Sequence, residues 1–298
     1  MFSPEVIKKI KRIHIKSGRM VDAVMAGNYR SVFRGSGIEF EEVREYAIGD
    51  DVKSIDWNVS ARMGRPYIKL YREERELVVM LLIDISGSMS FGTTGVRKRD
   101  IAAEAAAILA FNAIRNNDRV GAILFSDRVE KYIPPKKGSA HIWRLIKEIF
   151  TYHPEYEGTD IQAALTYLGN VCPKKTVAFL ISDFFTHDST RSLRTVSRRH
   201  ELVSLFVCDK GDYEPPGGGL VHMRDLETGH AVVFDASSAA GRRVLAGIMA
   251  EKRQAVFDML KKSDIDCVPI SADTAADRET HVADALTAYF RMRERRLR

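Results

Sequence analysis

Residues 81–90 read LLIDISGSMS. An apolar run ends in one carboxylate, Asp84, followed by two hydroxyls, Ser86 and Ser88, at every second position. Alternate side chains of an extended segment share a face. These three oxygens can therefore converge where the strand leaves the core, although Gly87 turns the chain. One carboxylate with two hydroxyls is a weak anion site and a good partial shell for a hard divalent cation.

The run before Asp84, Leu77–Ile83, is short and rich in Val, Leu and Ile, the pattern of a strand covered on both faces. The same rhythm continues downstream. Strands are predicted at DRVGAILFS, RVEKYIPP, KTVAFLISD, ELVSLFVCD and DCVPIS. Helices are predicted at DIAAEAAAILAFNAIRN with Asp100 as its N-cap, at SAHIWRLIKEIFTY, at GTDIQAALTYLGNV, at DSTRSLRTVSRRH, over 237–262 and over 274–296. GLVHMRDLETGHAVVFDAS reads as a hairpin. Strands alternating with helices imply an α/β fold: a doubly wound, mostly parallel sheet with helices on both faces and right-handed crossovers. Such sheets bind ligands at the carboxyl ends of their strands, at the switch point, which is where LLIDISGSMS sits. Residues 1–76 differ. They begin with a basic helix and continue as short extended, charged pieces, so they are read as a separate N-terminal segment packed on an α/β domain of residues 77–298.

Composition narrows the function. The chain has 298 residues, 45% apolar and 29% charged, the balance of an ordinary globular protein. No apolar run approaches the roughly 20 residues that span a bilayer, and no secretory leader is expected. Three scattered cysteines, with no CxxC pair, fit buried thiols in a reducing cytoplasm. The formal charge of +6 is concentrated at the two ends. Both ends carry helical apolar spacing, so their charges are read as solvated faces, and no zinc-finger or aromatic-interleaved basic stretch points to nucleic acid.

Two later motifs extend the first. YEGTDIQ places Thr159 in a glycine-led loop at a helix start, and FLISDFF places Asp183 just beyond an apolar strand, as Asp84 is. Strand ends of a parallel sheet share one rim. A cation there would gather Asp84, Ser86, Ser88, Thr159 and Asp183. Mg²⁺ suits so few charges, and Mn²⁺ or Ca²⁺ would also fit.

LLIDISGSM, EGTDI and FLISDFF together resemble the von Willebrand factor A fold with its metal-ion-dependent adhesion site, and these five residues match that motif position by position. The resemblance implies direct ligation by the hydroxyls, ligation by the aspartates largely through water, and a vertex filled by a carboxylate of a partner protein. Upstream, Arg44-Glu45-Tyr46, Gly49-Asp50-Asp51, Ile55-Asp56-Trp57 and Ser60-Ala61-Arg62 resemble the bacterial family known as domain of unknown function 58, over about residues 25–210. That likeness implies an adaptor or chaperone-like partner of a MoxR-type AAA+ ATPase. Within this segment Trp57 is expected to pack against the sheet, AIGDD to form a turn, and Arg44, Arg62 and Asp56 to form an ion network.

An enzyme is the competing expectation: a Mg²⁺-dependent phosphatase or phosphotransferase with Asp84 as nucleophile. Such sites resemble Asp-x-Asp, and the second position here is Ser86, a poor acid or base at neutral pH. No GxSxG and no P-loop occur.

Overall fold

In the computed structural model the described residues are 37–74, 76–214, 217–272 and 278–297. The expected N-terminal basic helix lies outside them. The chain divides into two compact units, Phe33–Leu77 and one that contains Val78–Arg298.

In the smaller unit β1 (Gly37–Glu45) pairs antiparallel with β2 (Tyr67–Glu74). Between them lie a 3₁₀ turn, Val52–Ser54, and α1 (Trp57–Met63). Asp56 starts α1 by accepting the N–H groups of Asn58 and Val59 at 2.9 and 3.2 Å, a cap that satisfies donors no helical carbonyl can reach. Its other oxygen meets Lys69 Nζ at 3.2 Å. Arg44 grips both oxygens of Asp50 at 2.8 and 2.6 Å, and Asp50 also accepts the Ala47 N–H, which closes the AIGDD turn. Two expectations are corrected here. The network among Arg44, Arg62 and Asp56 resolves into separate Arg44–Asp50 and Asp56–Lys69 pairs. Trp57 is 68% exposed rather than packed.

The larger unit is the expected doubly wound α/β fold. Its six-stranded sheet is built from β3 (Val78–Asp84), β4 (Arg119–Phe125), β5 (Val129–Lys136), β6 (Val177–Ser182), β7 (Glu201–Cys208) and β10 (Asp266–Ser271), in the spatial order β10-β7-β6-β3-β4-β5. All neighbours are parallel except the β4–β5 edge. β5 is close enough in sequence to return by a tight turn, which only an antiparallel partner permits. The separate hairpin of β8 (Leu220–Arg224) and β9 (Ala231–Asp235) pairs only with itself.

β3 sits at the centre, and Val79–Asp84 are buried throughout. Its alternate residues serve two cores. Met80 and Leu82 join Ile161, Leu165 and Leu168 of α4 (Ile161–Val171), Leu193 of α5 (Thr190–Ser197) and Leu260 of α6 (Ala239–Lys262). The opposite face is covered by α2 (Lys98–Arg115), with α3 (Ser139–Thr151) and α7 (Arg278–Leu297) beside it. The alanines of α2 let that helix lie close to the sheet, and nearly all its length is buried. Phe111 meets Trp143 edge-on at 5.6 Å to fasten α2 to α3. Asp100 is the third residue of α2 rather than its N-cap; it accepts the Arg97 N–H as one half of a capping box. In α7, Arg293 pairs with Glu201, and Arg296 pairs with Asp266 at 3.2 Å, so part of the basic terminal charge is spent within the fold.

Gly121 is a point of close approach at the β4–β5 edge. A Cβ there would lie 2.7 Å from the Ile133 carbonyl and 2.8 Å from Met80 Sδ, at a register shift between Val120 and Ala122. Gly121→Ala is expected to cost about 1–3 kcal/mol through overpacking, read as a lower urea midpoint at unchanged slope. An unchanged midpoint would contradict this packing.

Candidate metal centre

The chain leaves β3 toward β4 and leaves β6 toward β7, so the carboxyl ends of β3 and β6 flank the switch point of the sheet. Asp84 is the last residue of β3 and is completely buried. Its Oδ1 accepts the Ser86 N–H at 2.9 Å, and its Oδ2 accepts the Ser182 hydroxyl at 2.6 Å. Ser86 Oγ and Ser88 Oγ stand 3.1 Å apart. The Gly87 N–H donates to the Glu157 carbonyl at 2.8 Å, and the Thr186 hydroxyl donates to the Thr159 carbonyl at 3.3 Å. Those bonds hold the Glu157–Thr159 loop over the β3 terminus. Asp160 then caps α4 through the Gln162 and Ala163 N–H groups, which leaves the neighbouring Thr159 side chain at the rim.

Asp183 follows β6. Its Oδ1 accepts the Phe185 N–H at 3.2 Å, and its Oδ2 accepts Lys98 Nζ at 2.7 Å. Lys98 is 1% exposed. Its ammonium also donates to both oxygens of Asp212 at 3.0 and 3.1 Å and lies 4.9 Å from the centre of the Phe185 ring. Burial opposes the lysine charge, but Asp183 and Asp212 outweigh it and hold the pKa above the ordinary lysine value. Thr159 Oγ1 donates to Glu227 Oε1 at 2.6 Å, and Ser88 is near enough to favour the charged form of this carboxylate.

Asp84, Ser86, Ser88, Thr159 and Asp183 are thus brought to one rim from three segments separated along the chain. Four participants were missed. Lys98 stood in a basic cluster at a helix start, Ser182 looked like the end of a strand, Asp212 lay in a loop, and Glu227 read as an ordinary hairpin turn. Ser182 sat inside the FLISDFF motif beside Asp183, and no local pattern marked the other three, because each arrives from a different part of the chain.

The donor set suits a hard cation. It consists of oxygen atoms only; of the carboxylates nearby, Asp183 and Asp212 are paired with the Lys98 ammonium, whereas Asp84 accepts Ser182 and Ser86, and Glu227 accepts Thr159. Burial, then the charge of Asp183, pushes the Asp84 pKa up to about 7. Burial also raises Asp212 and Glu227. Such shifts mark a cluster short of positive charge. Among the described residues no group of three or more His, Cys, Asp or Glu side chains is arranged to hold a metal. A cation here would depend on the serine and threonine hydroxyls as much as on carboxylates.

Residues 42–255 match the family described as protein of unknown function DUF58. The chain belongs to that family. Uncharacterized proteins of Mycobacterium bovis and Mycobacterium tuberculosis are each 31% identical to it over 229 residues, 76% of this chain and 72% of theirs. Among solved structures, an aerotolerance-related membrane protein from Bacteroides fragilis is similar to this DUF58 chain at 17% identity and a TM-score of 0.47, covering 74% of this chain and 99% of that one. BatB from Bacteroides thetaiotaomicron is similar at 15% identity and a TM-score of 0.44, covering 72% and 99%. The von Willebrand factor A domain of SpRpn10 is similar at 10% identity and a TM-score of 0.42, covering 71% and 94%. Among the described residues no helix is long and apolar enough to cross a membrane.

A carboxyl group whose folded pKa exceeds its unfolded value binds more protons when folded, so stability falls as pH rises between the two values. For Asp84 the window runs from its ordinary 3.8 to about 7. His200, held neutral by burial, acts in the opposite direction, so the readout is the difference between wild type and Asp84→Asn. In chelator, wild type is expected to lose stability relative to D84N across this window, and Mg²⁺ is expected to restore it at pH 8. Parallel pH profiles for the two proteins would contradict the charge shortage.

Proposed function

We propose that this chain is a non-enzymatic protein-binding module whose capture of a partner depends on a divalent cation held by Asp84, Ser86, Ser88, Thr159 and Asp183. The observation that carries the reading is that the structure brings these five residues to the switch point, beside a carboxylate that already accepts the Thr159 hydroxyl. A cation at this site supplies positive charge to an incoming carboxylate. The protein's own residues do the rest. Ser86 and Ser88 offer hydroxyl oxygens, Ser182 and the Ser86 N–H hold Asp84 in one orientation, and Lys98 fixes Asp183. Mg²⁺ is the favoured ion, with Mn²⁺ or Ca²⁺ compatible. The partner is a protein that presents a surface carboxylate, and the family resemblance makes a MoxR-type AAA+ ATPase the first candidate, with this chain as its adaptor in the cytoplasm. The three cysteines, none of them disulfide-bonded, are compatible with that compartment.

A phosphatase reading with Asp84 as nucleophile is weaker. Both carboxylate oxygens of Asp84 are engaged and the residue has no exposed surface, whereas a nucleophile must reach the phosphorus of its substrate.

Ser86→Ala combined with Ser88→Ala is expected to leave the fold intact and to weaken Mg²⁺ binding by tenfold or more, measured by calorimetry. The same double variant is expected to lose metal-dependent retention of a purified MoxR-type ATPase. Unchanged Mg²⁺ affinity would defeat the reading. Mg²⁺-dependent turnover of an aryl phosphate that disappears in D84N would replace it with the enzymatic one.

A further inference from the structure

The hairpin of β8 and β9 reaches over the site from outside the sheet. Its tip is set by Asp225, which accepts the N–H groups of Glu227 and Thr228 at 2.8 and 3.3 Å and the Thr228 hydroxyl at 2.7 Å. Gly229 completes the turn at φ +74°, a conformation that side-chain-bearing residues seldom adopt. This turn aims Glu227 at Thr159, whose hydroxyl it accepts at 2.6 Å. The neighbouring Leu226 carbonyl lies so close to Gly87 that a Cβ at position 87 would run into it. The glycine inside the Ser86-Gly87-Ser88 motif is therefore where the tip of the hairpin seats.

Among the described residues, little else holds the hairpin down. It joins no larger sheet, and a lone two-stranded hairpin is marginal by itself. Leu220, Val232 and Val233 are 73%, 67% and 57% exposed, so its strands add little buried apolar area. Grooves of about 820 Å³ adjoin the tip: Leu226 lines one and Glu227 the other, while Ser88 lines both. The chain has placed a carboxylate of its own on the Thr159 hydroxyl of a site read above as a receptor for a carboxylate, on an element that is not part of the six-stranded sheet.

We propose that Glu227 is a built-in ligand of this site, and that the β8–β9 hairpin is a plug which a partner's acidic residue must displace. The proposal rests on the reading of the site as a cation-dependent carboxylate receptor. The closed hairpin lowers the apparent affinity for any competitor by the fraction of molecules in which it is open. Partner capture is then a contest between an internal glutamate at high effective concentration and an external one. A partner with further contacts would win it, and a stray acidic peptide would not.

The test uses the full chain as wild type, Glu227→Ala and Glu227→Gln. Mg²⁺ binding is measured by calorimetry. Binding of a fluorescein-labelled, C-terminally amidated peptide with one glutamate among glycines and serines is measured at saturating Mg²⁺. Hydrogen exchange is followed over residues 217–236. With the plug removed, the peptide is expected to bind about tenfold tighter or more, as for a site open a tenth of the time or less, and the hairpin amides are expected to exchange faster. Glu227→Gln keeps the size of the side chain without its charge and should shift both readouts in the same direction. Mg²⁺ binding together with peptide affinity that fails to rise in both variants, including no peptide binding at all, overturns the plug and leaves the metal site standing. Absence of Mg²⁺ binding in every protein overturns the metal site, and the plug with it.

Discussion

The constraint on which the site depends is a shortage of positive charge under the rim of the sheet. Asp84 and Asp183 are carried to the same place by two neighbouring parallel strands, and both are almost wholly buried. Two carboxylates in such surroundings cannot both ionise without compensation. Lys98 supplies one positive charge, and it is shared with Asp212. The backbone N–H groups of Ser86 and Phe185 and the hydroxyl of Ser182 supply partial charge. Even so, Asp84 is left far above the usual carboxylate range. A buried ion cluster of this kind does little for stability compared with apolar packing.

The lysine is as informative as the aspartates. Lys98 opens the alanine-rich helix that covers one face of the sheet, so its position is tied to the core itself. Through Asp212 it reaches the end of β7, where Asp209 accepts the N–H and hydroxyl of Thr93. The 91–95 loop, the helix start and two strand ends are thereby joined in one polar network beside the serines. Removing the ammonium would leave two buried carboxylates unpaired, the kind of loss that costs about 3–5 kcal/mol. The orientation of Asp183 is thus set by a group outside the motif that first drew attention to it.

Much of this was legible in the sequence, for identifiable reasons. Strands buried on both faces announce themselves as unbroken apolar runs, and β3, β6 and β7 all do so. The doubly wound order then fixed which strand ends share a rim, and that was enough to bring Asp84 and Asp183 together. Thr159 followed because a glycine-led loop before a capped helix exposes its side chain. Periodicity cannot show groups that arrive from another crossover. Lys98 looked like one more surface cation, and nothing in DLETGH marked Glu227 as turned toward the site. Trp57 misled because a large aromatic residue suggests burial, whereas it is exposed here.

The central claim is that these oxygens surround a divalent cation, and diffraction can test it directly. Crystals grown at saturating Mn²⁺, with data collected at the manganese edge, are predicted to show one strong anomalous peak bonded to the hydroxyl oxygens of Ser86 and Ser88, at metal–oxygen distances of roughly 2.0–2.3 Å. No peak among Asp84, Ser86, Ser88, Thr159 and Asp183 at saturating metal, with Lys98 still clamped between Asp183 and Asp212 as the only cation, would contradict the account.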